Sequence, residues 1–249
     1  MFLFYVNPIL IAAAVIPAIV LLRFVYREDR LDKESPGMLL SLVLFGILAT
    51  FGALIAERIG ESVLALLVPP YTRAYNAILY FVVVALSEEG FKYLLLKKRT
   101  WWSREFNCQF DGVVYAVFVS LGFALWENIS YVVMYGLGTA LVRAVTAIPG
   151  HACFGVFMGA FYGLAKRYDH FGDEYRSRRC RRLAVWVPVV LHGCYDYIAT
   201  YEYDGYAWIF VGFVVLLFAA AYRMIKRLAR DDRFIDGGDD YNYYNGPEL

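Results

Sequence analysis

Glu88, Glu89 and Lys92 fall together inside a long apolar stretch, in the order Glu88-Glu89-Gly90-Phe91-Lys92. On a helix Glu88 and Lys92 share a face, with the acid N-terminal to the base, the better ordering for an ion pair. A self-neutralised pair at a membrane edge near Lys97 accounts for Lys92 and one glutamate, and leaves the other carboxyl without a partner. Adjacent carboxyls beside a single cation repel, an arrangement suited to general acid–base chemistry. A second acid, Glu127, follows in Phe123-Ala124-Leu125-Trp126-Glu127-Asn128, where Ala116, Ser120 and Ala124 form a small-residue stripe leading to Asn128. Such a stripe lets helices approach closely, so Glu127 should face the bundle, where an Asn or Arg would also satisfy it.

Two of the chain's three histidines lie in apolar segments as well. His151, in Pro149-Gly150-His151-Ala152-Cys153, continues a stripe of Gly155, Gly159 and Gly163 and so belongs at a helix interface. His192 follows Pro188 by one turn and precedes Asp196 by four residues, so the acid can orient the imidazole or line the same cavity. His170, in a charged loop, is ordinary. The pairs His151-x-Cys153 and His192-x-Cys194 are not metal motifs, since residues two apart on a helix point nearly opposite ways.

What must position these groups is a membrane bundle. Apolar residues are 60% of the 249 and charged ones 19%, far from the composition of a soluble domain. A bilayer core about 30 Å thick takes roughly 20 helical residues, and runs of that kind recur. They predict an all-α bundle of seven helices near 3–24, 38–56, 74–96, 110–134, 140–165, 183–203 and 206–226. The segments 23–33, 97–104, 166–182 and beyond 222 hold 20 of the 24 Lys and Arg. That asymmetry predicts the N-terminus outside and the C-terminus in the cytoplasm. The first run lacks a basic leader and a cleavage site and reads as a retained span. Segment 57–72 is too short to cross and is expected at the outer interface, ended by Pro69-Pro70. Residues 1–230 then form one membrane domain, and 231–249 an acidic, Gly- and Tyr-rich disordered tail. The four cysteines form no CxxC pair, and the short basic runs beside spans give nucleic-acid binding no support. The absence of an internal repeat counts against a duplicated transporter.

Counting inward from the basic edges at 1.5 Å per residue puts Glu88 and His192 about 13–15 Å deep. The same count puts His151 about 22 Å and Glu127 about 24 Å from that edge. A common cavity therefore requires tilt or bending, which Pro149 and Pro188 would assist.

Taken in order, Glu88-Glu89-x-x-Lys92, Phe123-x-x-x-Glu127-Asn128, His151 and His192-x-x-x-Asp196 resemble the four motifs of PrsW-type intramembrane proteases, distant relatives of the CAAX prenyl endopeptidases. Arg143, a membrane-embedded base before the first histidine, is similar to that pattern too. The resemblance covers about residues 75–200. It implies cleavage of a membrane-anchored, single-span protein in the cell membrane, with the first cut of an anti-sigma factor as the best-known role. It further implies that Glu88 or Glu89 activates water, His151 helps hold it, and His192 and Asp196 stabilise the oxyanion or complete the site. Lys92, Glu127, Asn128 and Arg143 would support them. His151, His192 and Glu88 would suit a zinc ion with an open position for water. With no HExxH helix, a metal-free glutamic mechanism stays open. Competing readings are a proton-relay transporter and an inactive scaffold that binds spans through the glycine stripe.

Overall fold

The computed structural model describes residues 8–200 and 206–238, and these are helical apart from loops and one isolated bridge, Cys108 to Phe234. Helix α1 is Pro8–Glu28, α2 Pro36–Leu67 and α3 Arg73–Ile78; a π-helical segment, Leu79–Ala85, runs on into α4, Leu86–Thr100. Then come α5 (Asp111–Tyr135), α6 (Leu137–Val145), α7 (Ala147–His170), α8 (Glu174–Ala199) and α9 (Tyr206–Arg230). Among the described residues, five helical stretches are long and apolar enough to cross a membrane: Leu10–Glu28, Pro36–Leu67, Asp111–Tyr135, Leu137–His170 and Tyr206–Arg230. The protein is thus an all-α, multi-pass membrane bundle. The π segment with α4, and α8, match them in length. They are more polar because they carry Glu88, Glu89 and Lys92 and the arginines of 176–182 respectively.

Helix α5 is the hub, buried continuously from Asp111 to Ala124. Its small-residue stripe meets the glycines of α7. A Cβ at Gly155 would lie 2.9 Å from Ser120 Oγ and 3.0 Å from Val117 Cα, and one at Gly159 would strike the Gly112 carbonyl. Only hydrogen at these positions lets the two backbones touch, and without a hydrophobic drive between helices in lipid, that contact is the packing term available.

The loops between α1 and α2 and between α4 and α5 meet at one end of the bundle. Ser35 N–H donates to Glu105 (3.0 Å) and Asn107 Nδ2 to Asp32 (2.7 Å). This is the end to which the basic segments were assigned.

Several boundaries differ from expectation. Segment 57–72 is not a separate interfacial piece: α2 continues to Leu67, because nothing in 57–67 breaks a helix before Pro69-Pro70. Its start is set by Ser35, whose hydroxyl accepts from Met38 N–H, and by Pro36 in the first turn. The expected span 140–165 is two helices, α6 and α7, separated at Thr146, with Gly136 at φ 82° ending α5. Pro149 therefore sits in the first turn of α7, where its missing N–H costs nothing, and does not bend a span. Residues 231–238, placed by sequence in a disordered tail, fold back on the 107–110 loop. Ile235 is buried, its N–H donating to Asn107 O (2.7 Å), and Arg233 O accepts from Gln109 N–H (3.0 Å). The rest of that tail (239–249), the first residues of the 3–24 span (3–7) and the end of the 183–203 span (201–203) lie outside the described residues.

Candidate active site

Helix α4 brings Glu88, Glu89 and Lys92 into the bundle one π-helical segment after α3, and π segments widen the turn and re-aim the side chains that follow. Phe81 of that segment packs into the space left by Gly193, next to His192 on α8. Lys92 is wholly buried. Its ammonium donates to Glu89 Oε1 (2.7 Å) and Glu88 Oε2 (3.1 Å), lies 3.1 Å from His151 Nδ1, and sits 4.0 Å above the Phe123 ring. An ammonium has no lone pair, so His151 Nδ1 accepts, and Nε2–H is left to donate to Glu127 Oε2 at 2.8 Å.

His192 lies between two acids, with Nδ1 at 2.9 Å from Glu89 Oε1 and Nε2 at 3.3 Å from Asp196 Oδ2. Phe154 stacks on its ring at 4.7 Å. A second layer holds Glu127: Arg143 on α6 pairs with it at 3.1 Å and donates to Asn128 Oδ1 at 3.0 Å. Asn128 in turn donates to the Ala14 carbonyl of α1 (2.9 Å). Every residue singled out by sequence except His170 is therefore in one connected network. The different heights of Glu88 and Glu127 are bridged by the His151 ring, one nitrogen to each layer.

The network opens on a cavity of about 410 Å³. Glu88, His151, His192, Asp196, Glu127 and Arg143 line it, whereas Glu89, Lys92 and Asn128 stand behind the wall. The two glutamates thus differ in kind: Glu88 meets the cavity, and Glu89 serves Lys92 and His192. Sequence reasoning missed Thr50 and Glu57 on α2 and Tyr131 and Tyr195, which also line it. Thr50, Leu54 and Glu57 share one helix face, a signal that the expected end of the span at residue 56 hid.

Donor atoms from Glu88, Glu89, His151 and His192 lie within 4.8 Å of one another, all buried. Two imidazoles and two carboxylates are a donor set that suits zinc. Three of the four now hold the Lys92 ammonium, so an ion entering there must displace it. Neither Cys153 nor Cys194 belongs to this set, and all four cysteines are free.

A membrane bundle that buries paired carboxyls and imidazoles around an open polar cavity defines an intramembrane hydrolase, equipped to use water where the surroundings are lipid. Residues 34–222 match the family described as PrsW family intramembrane metalloprotease. Protease PrsW of Geobacillus kaustophilus is 33% identical over 226 residues, covering 88% of this chain and 91% of that protein. Protease PrsW of Halalkalibacterium halodurans is 30% identical over 226 residues, 90% of this chain and 99% of that protein. Protease PrsW of Bacillus subtilis is 29% identical over 218 residues, 88% and 94% of the two chains. The chain belongs to the PrsW family of intramembrane proteases. No solved structure matches it significantly.

Proposed function

We propose that this protease hydrolyses a peptide bond of a single-span, membrane-anchored protein in the cell membrane, with Glu88 as the group that activates water. The observation that carries this reading is the position of Glu88, a buried-rim carboxyl facing the 410 Å³ cavity between two histidines. Glu88 takes a proton from water as the oxygen attacks the scissile carbonyl carbon; the same proton then passes to the leaving amine as the C–N bond breaks. Arg143, which lines the cavity, supplies N–H donors for the oxyanion, and His192, engaged through both ring nitrogens by Glu89 and Asp196, fixes the wall beside it. His151 orients the water from its position between Lys92 and Glu127. A zinc ion would be held by His151, His192 and Glu88, and it would supply a Lewis acid and a more acidic water.

Seven spans, with α3–α4 and α8 crossing beside the five more apolar stretches, put the basic loops in the cytoplasm and the cavity mouth toward the outside. An anti-sigma factor is the substrate that the PrsW resemblance suggests. The test is cleavage of single-span reporters in proteoliposomes by wild type, Glu88→Gln, His151→Ala and His192→Ala, with and without chelator. Cleavage by wild type alone supports the reading; equal cleavage by all four ends it. Ion-driven uptake without cleavage would favour a proton-relay transporter.

A further inference from the structure

Glu57 stands apart from the other acids of the cavity. Glu127 is taken by Arg143 and His151, Glu88 by Lys92, and Asp196 by His192. Glu57 is half-buried, lines the same cavity, and among the described residues forms no hydrogen bond or ion pair. The charged groups that act on it are Glu127, Lys92, His192 and Asp196, from α5, α4 and α8. Among the described residues the cavity wall carries four carboxyls, Glu57, Glu88, Glu127 and Asp196, against one guanidinium, Arg143, which is already paired. An unpartnered carboxyl in a mouth with excess acid attracts a cation.

We infer that Glu57 is a specificity residue that receives a lysine or arginine side chain of the substrate close to the scissile bond, an inference that rests on the protease reading above. Its distance along the fold sets the register. Gly52 of α2 lies against Phe91 and Gly60 against Val83, so Glu57, between those two glycines, stands within about one helical turn, about 5 Å, of the height of Glu88. With the width of the cavity added, that separation is spanned by a few residues of extended substrate at about 3.3 Å each. The basic residue therefore falls within about four positions of the cleaved bond.

The experiment uses single-span reporters in proteoliposomes, with Lys, Gln or Glu placed in turn at each of the four positions on either side of the bond. For wild type, kcat/KM for the Lys reporter should exceed that for the Gln reporter about tenfold at one position, equal to about 1.4 kcal/mol, and the ratio should shrink as salt rises. In Glu57→Gln the ratio falls to about one, and in Glu57→Lys it reverses toward the Glu reporter. A wild type without a Lys preference at any position, or a preference that survives in Glu57→Gln, overturns the inference. The wild-type ratio needs no variant, so it remains decisive if Glu57→Lys does not fold. Failure of wild type to cut any reporter removes the protease reading itself, an outcome distinct from cleavage without charge preference.

Discussion

Replacing each member of the glutamate pair in turn should separate chemistry from structure. Glu88→Gln keeps an oxygen for Lys92, which still has Glu89 at 2.7 Å, so folding should lose only about 1 kcal/mol. It removes the base, and loss of a general base typically lowers the rate by about 10²–10⁴. Glu89→Gln acts differently. Lys92 and Glu89 are both fully buried, and breaking a buried pair from one side costs about 3–5 kcal/mol; the retained amide oxygen places this variant near the lower figure. His192 Nδ1 also loses its carboxylate partner at 2.9 Å. At about 2–4 °C per kcal/mol for a chain of this size, Glu89→Gln should melt about 4–8 °C below Glu88→Gln. The assay pairs reporter cleavage with thermal unfolding of the same detergent-solubilised preparations. Glu88→Gln cleaving at the wild-type rate, or Glu89→Gln melting no lower than Glu88→Gln, would refute the division of roles.

Three further outcomes follow from the geometry. Lys92→Met should raise zinc affinity at least about tenfold by calorimetry, since it removes an ammonium competing for three of four donors and leaves two buried carboxyls needing a cation; unchanged or weaker binding counts against that donor set. Gly159→Leu should destabilise by about 1–3 kcal/mol or more through collision with the α5 backbone, whereas Gly90→Ala, with open space at its Cβ, should leave the melting temperature equal or slightly higher. Burial in the loop between α1 and α2 pushes Glu34 up to about 7, helped by Glu105, Asp29 and Asp32, and pushes Asp29 up to about 6. Carboxyls raised in the fold bind protons more readily there than in the unfolded chain, so their stabilisation is present below about pH 4 and is lost as pH rises toward 7. Glu34→Gln should therefore flatten the fall in melting temperature between pH 5 and pH 8.

Apolar runs made the bundle legible, because length and hydropathy are what a bilayer selects. Less legible were features set by backbone geometry. The extension of α2 to Leu67 was hidden because Glu57, Arg58 and Glu61 interrupt the apolar run without interrupting the helix. The π segment at Leu79–Ala85 has no Pro or Gly to announce it, and Pro149, which marks the start of α7 after the break at Thr146, is equally compatible with a bend within one span. Residues 231–238 looked like tail by composition, yet Phe234 and Ile235 among them are apolar, and they anchor a return to the 107–110 loop. For the candidate site, spacing on single helices identified Glu88, Lys92, His192 and Asp196 as neighbours, since i,i+4 relations are local. That Glu88 and Glu89 face different partners depends on α7 and α8, and no local pattern contains it.

The height mismatch between Glu88 and Glu127 shows why the α6–α7 break matters to the site. A continuous span from 140 to 165 would place Arg143 more than two turns above His151 on one rigid axis, with its guanidinium directed by that axis alone. With the helix interrupted at Thr146, α6 turns independently, and Arg143 meets Glu127 and Asn128 while stacking over Tyr131 at 4.1 Å. Glu127, fixed from above, then holds His151 by its Nε2 and leaves Nδ1 directed at the Lys92 end of the network. The lone acid of α5, itself fixed by the base of α6, thus sets the tautomer of the imidazole it touches. Arg143→Leu should accordingly slow cleavage through a misplaced His151, with a loss that Arg143→Lys recovers only in part, because an ammonium cannot reproduce the guanidinium's simultaneous contacts to Glu127 and Asn128.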